Sequence, residues 1–131
     1  MQNFFTPKTI AVVGASKDPT KIGNVIFKNL LNKFKVFPVN NHESNILNNK
    51  VYSSISKISD KLDLVIIAVP APFVIEVVKE CGTKNIKHII IISAGFKEIG
   101  NNNLEYELSK VLQQYNYNYK IIVLIIITFI N

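Results

Sequence analysis

Residues 10–23 read Ile-Ala-Val-Val-Gly-Ala-Ser-Lys-Asp-Pro-Thr-Lys-Ile-Gly: an apolar run, a polar turn and the start of an amphipathic segment. The run predicts a β-strand over Thr9–Val13, and the segment after the turn predicts a helix that begins near Lys21. A strand, a glycine-containing turn and a helix N-terminus together favour phosphate binding, because backbone N–H groups and the helix dipole converge on the anion. Only Gly14 and Gly23 are present in this stretch, so the Gly-x-Gly-x-x-Gly dinucleotide fingerprint is incomplete.

The remainder of the chain alternates apolar runs with segments of helical period. This alternation predicts a single-domain α/β fold: a Rossmann-like, doubly wound parallel sheet of about five strands, with ligands at the carboxyl ends of the strands. The further predicted strands are Lys35–Val39, Leu64–Val69, His88–Ile92 and Ile121–Ile127. The predicted helices are Lys21–Phe34 with Thr20 as its cap, a short one near Ser54–Ile58, Pro72–Gly82 and Leu104–Tyr115.

Composition narrows the class of protein. The chain has 131 residues, of which 48% are hydrophobic and 18% charged, as expected of one globular domain. Its net charge of +6 favours anionic partners, but the lysines are scattered and no aromatic residues are interleaved with them, so nucleic acid is not expected. Cys81 is the one cysteine, which excludes a disulfide and a two-cysteine metal site. No signal-peptide pattern is present and the longest apolar run, Ile121–Ile127, is too short to cross a bilayer; we expect a cytoplasmic protein without a membrane partner.

The predicted strand ends carry small or neutral residues and no carboxylate. An NAD site usually has an acidic residue at the end of the second strand, and here that place holds Asn40. No base, nucleophile pair or metal-ligand set converges at these ends, so we predict no catalytic residue and no metal. The pattern indicates a site that holds a nucleotide without transforming it. The four ends are Gly14-Ala15-Ser16, Val39-Asn40-Asn41, Val69-Pro70-Ala71 and Ser93-Ala94-Gly95.

Together these stretches resemble the N-terminal CoA-binding domain of nucleoside-diphosphate-forming acyl-CoA synthetases. That family includes the ADP-forming acetate–CoA ligases and, more distantly, the alpha subunit of succinyl-CoA synthetase. The resemblance covers about residues 3 to 122 and implies coenzyme A as the cofactor. It also implies, as partners, the remaining synthetase domains or a separate ATP-grasp subunit. The matching stretches are Phe4–Ser16, Lys21–Gly23, Val36–Asn40, Asp63–Ala71 and Ile92–Glu98.

The resemblance also implies which residues line the CoA site. The phosphate turn would be formed by Gly14, Ala15, Ser16, Lys21, Ile22 and Gly23. The adenosine and pantetheine path would be flanked by Val39, Asn40, Val69, Pro70 and Ala71, and the thiol end closed by Ser93, Ala94 and Gly95. Since Lys17 and Lys21 lie near the turn, CoA is expected to bind more tightly than dephospho-CoA. A Gly14→Val substitution is expected to abolish binding while leaving the fold largely intact.

Two departures from the family pattern matter. After Asn40 the family usually continues with Pro and Lys, whereas this chain has Asn41 and His42, so one phosphate contact is lost or requires a protonated His42. After the last strand the family turns through Gly-Pro-Asn into a domain that bears a phosphorylated histidine, whereas this chain continues with apolar residues to Asn131. We therefore expect a CoA-binding domain over residues 1–131 that is truncated or frame-disrupted after about residue 122. The resemblance implies that the chain is part of an acid–CoA ligase (ADP-forming), and the isolated chain is expected to be inactive.

Two other functions remain open at this point. A stand-alone regulatory CoA-binding protein would have about this size and would share the first strand and turn, but it would differ at the ends of the third and fourth strands. An NAD(P)-binding oxidoreductase domain is disfavoured by Asn40 and by the wide spacing between Gly14 and Gly23.

Overall fold

The computed structural model of the protein describes residues 6–93, 102–117 and 124–125, and these form a parallel sheet covered by helices. One turn of 3₁₀ helix, Ile55–Lys57, precedes the third long strand. The elements, in chain order, are β1 (Thr9–Val13), α1 (Ile22–Leu30), β2 (Lys35–Val39), β3 (Asn45–Ile46), β4 (Asn49–Lys50), β5 (Leu64–Ile67), α2 (Ala71–Thr83), β6 (Ile89–Ile92), α3 (Asn102–Gln114) and β7 (Leu124–Ile125).

The main sheet has the strand order β2-β1-β5-β6-β7, and all four neighbouring pairs are parallel. From β1 the chain first goes to β2 on one side and then crosses back to β5 on the other. The border between β1 and β5 is therefore a topological switch point, where the connections diverge and leave a crevice beyond the carboxyl ends of the strands. This topology confirms the predicted doubly wound fold.

Both faces of the central strands β1 and β5 are buried, which explains why these strands read as continuous apolar runs. Alternate residues of β1 and β5 enter two different core clusters. One cluster joins these strands to α2 and α3 through Ala11, Val13, Val65, Ile67, Val74, Val78 and Leu108. The other lies on the α1 side and contains Ile10, Val12, Phe27, Leu64 and Ile66.

Several element boundaries differ from the predicted ones. The first helix ends at Leu30, before the predicted Phe34. Thr20 does not cap it: Lys21 occupies the N-cap position without a side-chain hydrogen bond, and the Thr20 hydroxyl donates to Asp18 Oδ1 at 2.7 Å. Of the predicted last strand, Leu124–Ile125 forms β7, and its other residues lie outside the described part of the chain.

An antiparallel hairpin, β3–β4, follows β2 and was not predicted. Its turn residues Leu47 and Asn48 both have positive φ, at 49° and 63°. Such two-residue turns usually carry Asn-Gly or Asp-Gly. With leucine in the first position, the sequence gives little signal of a hairpin.

Cys81 lies on α2 and is fully buried in the core. Burial raises the pKa of its thiol far above the ordinary value, so the buried thiol stays neutral. None of the helices in the described ranges is long and apolar enough to cross a membrane.

Candidate functional site

The turn after β1 begins at Gly14, where two strands approach each other. Gly14 has φ +96°, a conformation that favours glycine, and its N–H donates to Val39 O at 2.9 Å. A Cβ atom at this position would lie 2.2 Å from the backbone oxygen of Ala68, which directly follows β5. Gly14 therefore allows the carboxyl ends of β2, β1 and β5 to meet at one point.

Gly23, in the first turn of α1, packs directly on this turn. A Cβ atom on Gly23 would lie 1.8 Å from Gly14 O. The last glycine of the dinucleotide fingerprint has the same role, which is close packing of the helix against the strand, despite the wider spacing here.

The expectation that Gly14→Val would leave the fold largely intact is wrong, because any side chain at Gly14 would collide with the backbone of Ala68.

The polar turn between β1 and α1 is held by its own side chains. Ser16 Oγ accepts from the Asp18 N–H at 3.0 Å, and the Asp18 carboxylate accepts from both the hydroxyl and the N–H of Thr20. The two hydrogen bonds from Thr20 lower the pKa of the Asp18 carboxyl, and the bond from the hydroxyl has the larger effect. The buried Asn24 of α1 donates from Nδ2 to Ser16 O at 2.9 Å. Sequence reasoning missed Asn24, although a polar residue on the buried face of a helix is a signal that it has a partner.

Asn40, where an NAD site would have an acidic residue, connects two loops. Its Nδ2 donates to Ala15 O at 2.8 Å, and its Oδ1 accepts from the N–H groups of His42 at 2.6 Å and Glu43 at 3.2 Å. A carboxylate could accept both N–H groups but could not donate to Ala15 O. The structure thus requires an amide at this position, and it fixes the loop after β2 against the turn after β1.

The N-terminus of α1 lies beside this turn. The N–H groups of Ile22 and Gly23 have no hydrogen-bond partner among the residues described, and the first turn contains no acidic residue. Lys21 is exposed at the N-cap position. The positive end of the helix dipole and a lysine are therefore both available to an anion at the carboxyl edge.

The ends of β5 and β6 complete the same edge. The Ala68 N–H donates to Val13 O at 2.8 Å, which keeps the residues after β5 beside β1. Ser93 is buried and its hydroxyl donates to Val69 O at 2.8 Å, so these two predicted residues are adjacent. Pro70 is the N-cap of α2 and Ala71, its first residue, is buried. The predicted residues Ala94 and Gly95 lie outside the described residues.

A cavity of about 300 Å³ lies at the opposite edge, by the amino ends of β5 and β6, and is lined in part by Lys61, Asp63, Lys87 and His88. Asp63 Oδ2 accepts the N–H of Lys8 at 2.8 Å, and this bond lowers the pKa of Asp63. Its carboxylate is therefore engaged in fixing the start of β1. His88 lies remote from the carboxyl edge, as expected for the first residue of the predicted strand His88–Ile92. Within the described ranges no group of three His, Cys, Asp or Glu side chains could hold a metal.

Comparison with known proteins identifies the family to which the chain belongs. The sequence model of the CoA binding domain matches residues 8–122. The chain belongs to the CoA-binding domain family. Over 121 residues it is 43% identical to the alpha subunit of acetate–CoA ligase [ADP-forming] II of Pyrococcus furiosus, an alignment that covers 91% of this chain and 26% of that subunit. The CoA-binding domain and the ligand expected from the sequence, coenzyme A, are thereby confirmed.

Solved structures agree with this assignment. A dinucleotide-forming acetyl-coenzyme A synthetase 1 from Ca. Korarchaeum cryptofilum, in complex with phosphate and ADP, superposes with a TM-score of 0.79 at 41% identity, over 91% of this chain and 26% of that one. A hypothetical protein from Pyrococcus horikoshii superposes with a TM-score of 0.70 at 27% identity, over 92% of this chain and 78% of that one. The chain thus spans about a quarter of the two ligase-type relatives and most of the smaller protein.

Proposed function

We propose that this chain is the CoA-binding part of an ADP-forming acid–CoA ligase of the acetate–CoA ligase kind, and that it holds CoA at the carboxyl edge of β1, β5 and β6. The observation that carries the site is the contact of Gly23 with Gly14 O, since a Cβ would lie only 1.8 Å from that oxygen. This contact places the N-terminus of α1 against the turn after β1, where phosphate binds in folds of this type. The 43% identity to an ADP-forming ligase subunit supports the enzyme class.

The residues at this edge fit the chemistry of CoA. Its phosphates need N–H donors and cations, which the first turn of α1 and the exposed Lys21 offer. The uncharged pantetheine arm needs neutral surface, which Val69, exposed Pro70 and Phe73, 61% exposed, offer at the start of α2. When bound, CoA would supply the thiol that becomes the thioester, and this chain would bind and orient it.

The proposed roles follow the predicted residues. The phosphates would be held by the turn and helix start, namely Gly14, Ala15, Ser16, Lys21, Ile22 and Gly23. The adenosine and pantetheine would pass Val39, Asn40, Val69, Pro70 and Ala71. The thiol end would be closed by Ser93, Ala94 and Gly95.

The phosphoryl chemistry of a ligase would have to come from elsewhere. His88 lies at the opposite edge, and the backbone N–H of the exposed His42 is bound to Asn40 Oδ1. We therefore propose that the remaining synthetase domains, or a separate ATP-grasp subunit, complete the enzyme.

A stand-alone CoA-binding role is the second candidate, because the chain covers 78% of a small hypothetical protein of the same fold. Turnover on adding synthetase domains supports the first role, and its absence supports the second.

Isothermal titration calorimetry of the purified chain with CoA, NAD and ADP tests the binding proposal. We expect CoA to bind more tightly than ADP, and NAD to give no measurable heat. Lys21→Gln should weaken CoA binding about tenfold, because it removes one charge-assisted contact to phosphate. Lys28→Gln, at the other end of α1, is the matched control and should leave the affinity unchanged. Tighter binding of NAD than of CoA would contradict the proposal and favour the oxidoreductase reading.

A further inference from the structure

An ion pair bridges the two loops at the carboxyl edge. Lys17 lies in the turn after β1, and its Nζ is 3.6 Å from Oε2 of Glu43 in the loop after β2. Glu43 is held in this place because its N–H donates to Asn40 Oδ1, while Asn40 itself donates to Ala15 O. The pair therefore lies between the turn proposed for the phosphates and the end of β2.

The carboxylate of Glu43 is incompletely satisfied. Its side chain is 26% exposed, yet Oε2 is buried and makes no hydrogen bond within the described part of the chain. Lys17, by contrast, is 63% exposed. An ion pair at 3.6 Å without a hydrogen bond is weak, so Lys17 can turn to another anion at little cost.

Folds of this topology place the ribose of a bound adenosine beside the loop after β2. An acidic residue there favours free ribose hydroxyls, whereas a basic residue accommodates a phosphate on the ribose. In this chain the loop after β2 supplies the acidic residue, Glu43, and the turn after β1 supplies the basic residue, Lys17, that pairs with it. CoA carries a phosphate on its ribose 3′ oxygen, and dephospho-CoA has a hydroxyl at that place.

Resting on the proposed function, we propose that the Lys17–Glu43 pair sets the discrimination between ligands with and without the ribose 3′-phosphate. Glu43 neutralises Lys17 in the free protein and limits the preference for the phosphorylated ligand. The preference for CoA over dephospho-CoA thus depends on the net charge of the pair. It is smaller than the presence of Lys17 and Lys21 alone predicts.

The test compares four proteins that differ in the charge of this pair. The measured quantity is the preference ratio, the Kd of dephospho-CoA divided by the Kd of CoA, from calorimetry at low salt. Glu43→Gln leaves the pair at +1 and should raise the ratio about fivefold, the upper range for an exposed charge pair. Lys17→Gln leaves it at −1 and should lower the ratio about fivefold. The double variant is neutral, like the unmodified chain, and should return the ratio to its original value.

A second ion pair of the same length provides the control. Lys79 and Glu76, also 3.6 Å apart, are exposed on α2, and neither Glu76→Gln nor Lys79→Gln should change the ratio. If Glu43 only supported the loop, its loss would weaken both ligands equally, and a constant ratio in all four proteins overturns the inference while CoA binding stands. Any other order of the four ratios overturns it as well. Failure of the unmodified chain to bind either ligand would instead overturn the proposed function, and this inference with it.

Discussion

A Gly23→Ala variant should unfold at a much lower urea concentration than the unmodified chain and should lose CoA binding. Helix propensity alone predicts the opposite, because alanine is favoured over glycine inside a helix by about 1 kcal/mol. The structure predicts a loss of stability instead, since the new Cβ would lie 1.8 Å from Gly14 O. The backbone fixes the position of a Cβ atom and the atom that it meets is a backbone oxygen, so no rotamer change relieves the contact and α1 must move away from β1. We expect a loss of about 3 kcal/mol in the free energy of unfolding, the upper range for overpacking.

Urea denaturation followed by circular dichroism measures this loss. Asn29→Ala, at an exposed position of the same helix, is the matched control and should leave the unfolding midpoint unchanged or raise it slightly. A midpoint for Gly23→Ala at or above that of the unmodified chain would show that α1 does not pack on the turn in this way.

An Asn40→Ala variant should lose both stability and CoA affinity. The amide makes three hydrogen bonds, to Ala15 O and from the N–H groups of His42 and Glu43. Leaving such groups without partners costs about 1–3 kcal/mol each where they are buried, and Asn40 is partly buried. We expect a loss of about 2 kcal/mol in the free energy of unfolding and a CoA affinity at least about tenfold weaker, because the phosphate turn is no longer fixed.

The neighbouring residue supplies the control for this variant. Asn41 is exposed, and Asn41→Ala should change neither the unfolding midpoint nor the Kd of CoA by more than about twofold. Asn40→Asp separates the two functions of the amide, since it keeps the acceptor for the loop after β2 but cannot donate to Ala15 O. Equal behaviour of Asn40→Ala and Asn41→Ala would mean that Asn40 has no positioning role.

The strands could be predicted because burial on both faces leaves an unbroken apolar run. β1 and β2 match their predicted bounds, Thr9–Val13 and Lys35–Val39. The end of α1 was harder to predict, since Phe34 continues the helical period but belongs to the tight connection that brings the chain to β2. Periodicity reports which side chains are buried, and a turn that packs on the core gives the same signal as another turn of helix.

The residues of the site divide in the same way. Gly14 and Gly23 could be found from their place between strand and helix, yet their mutual contact depends on the path of the turn, which no spacing rule encodes. Glu43 escaped notice because it lies beyond the end of β2 and reaches Lys17 only through a loop that Asn40 folds back. The positions that the strands fix were predictable, and those that loop geometry fixes were not.

Backbone amide NMR of the labelled chain during a CoA titration tests the location of the site most directly. The account predicts that the largest shifts fall on the turn after β1 and the start of α1, residues 14–23, with further shifts at residues 39–43 and 69–71. The amides around the opposite cavity, residues 61–63 and 84–88, should stay unchanged. Saturable shifts confined to that second group, with residues 14–23 unaffected, would contradict the account and place CoA at the amino edge of the sheet.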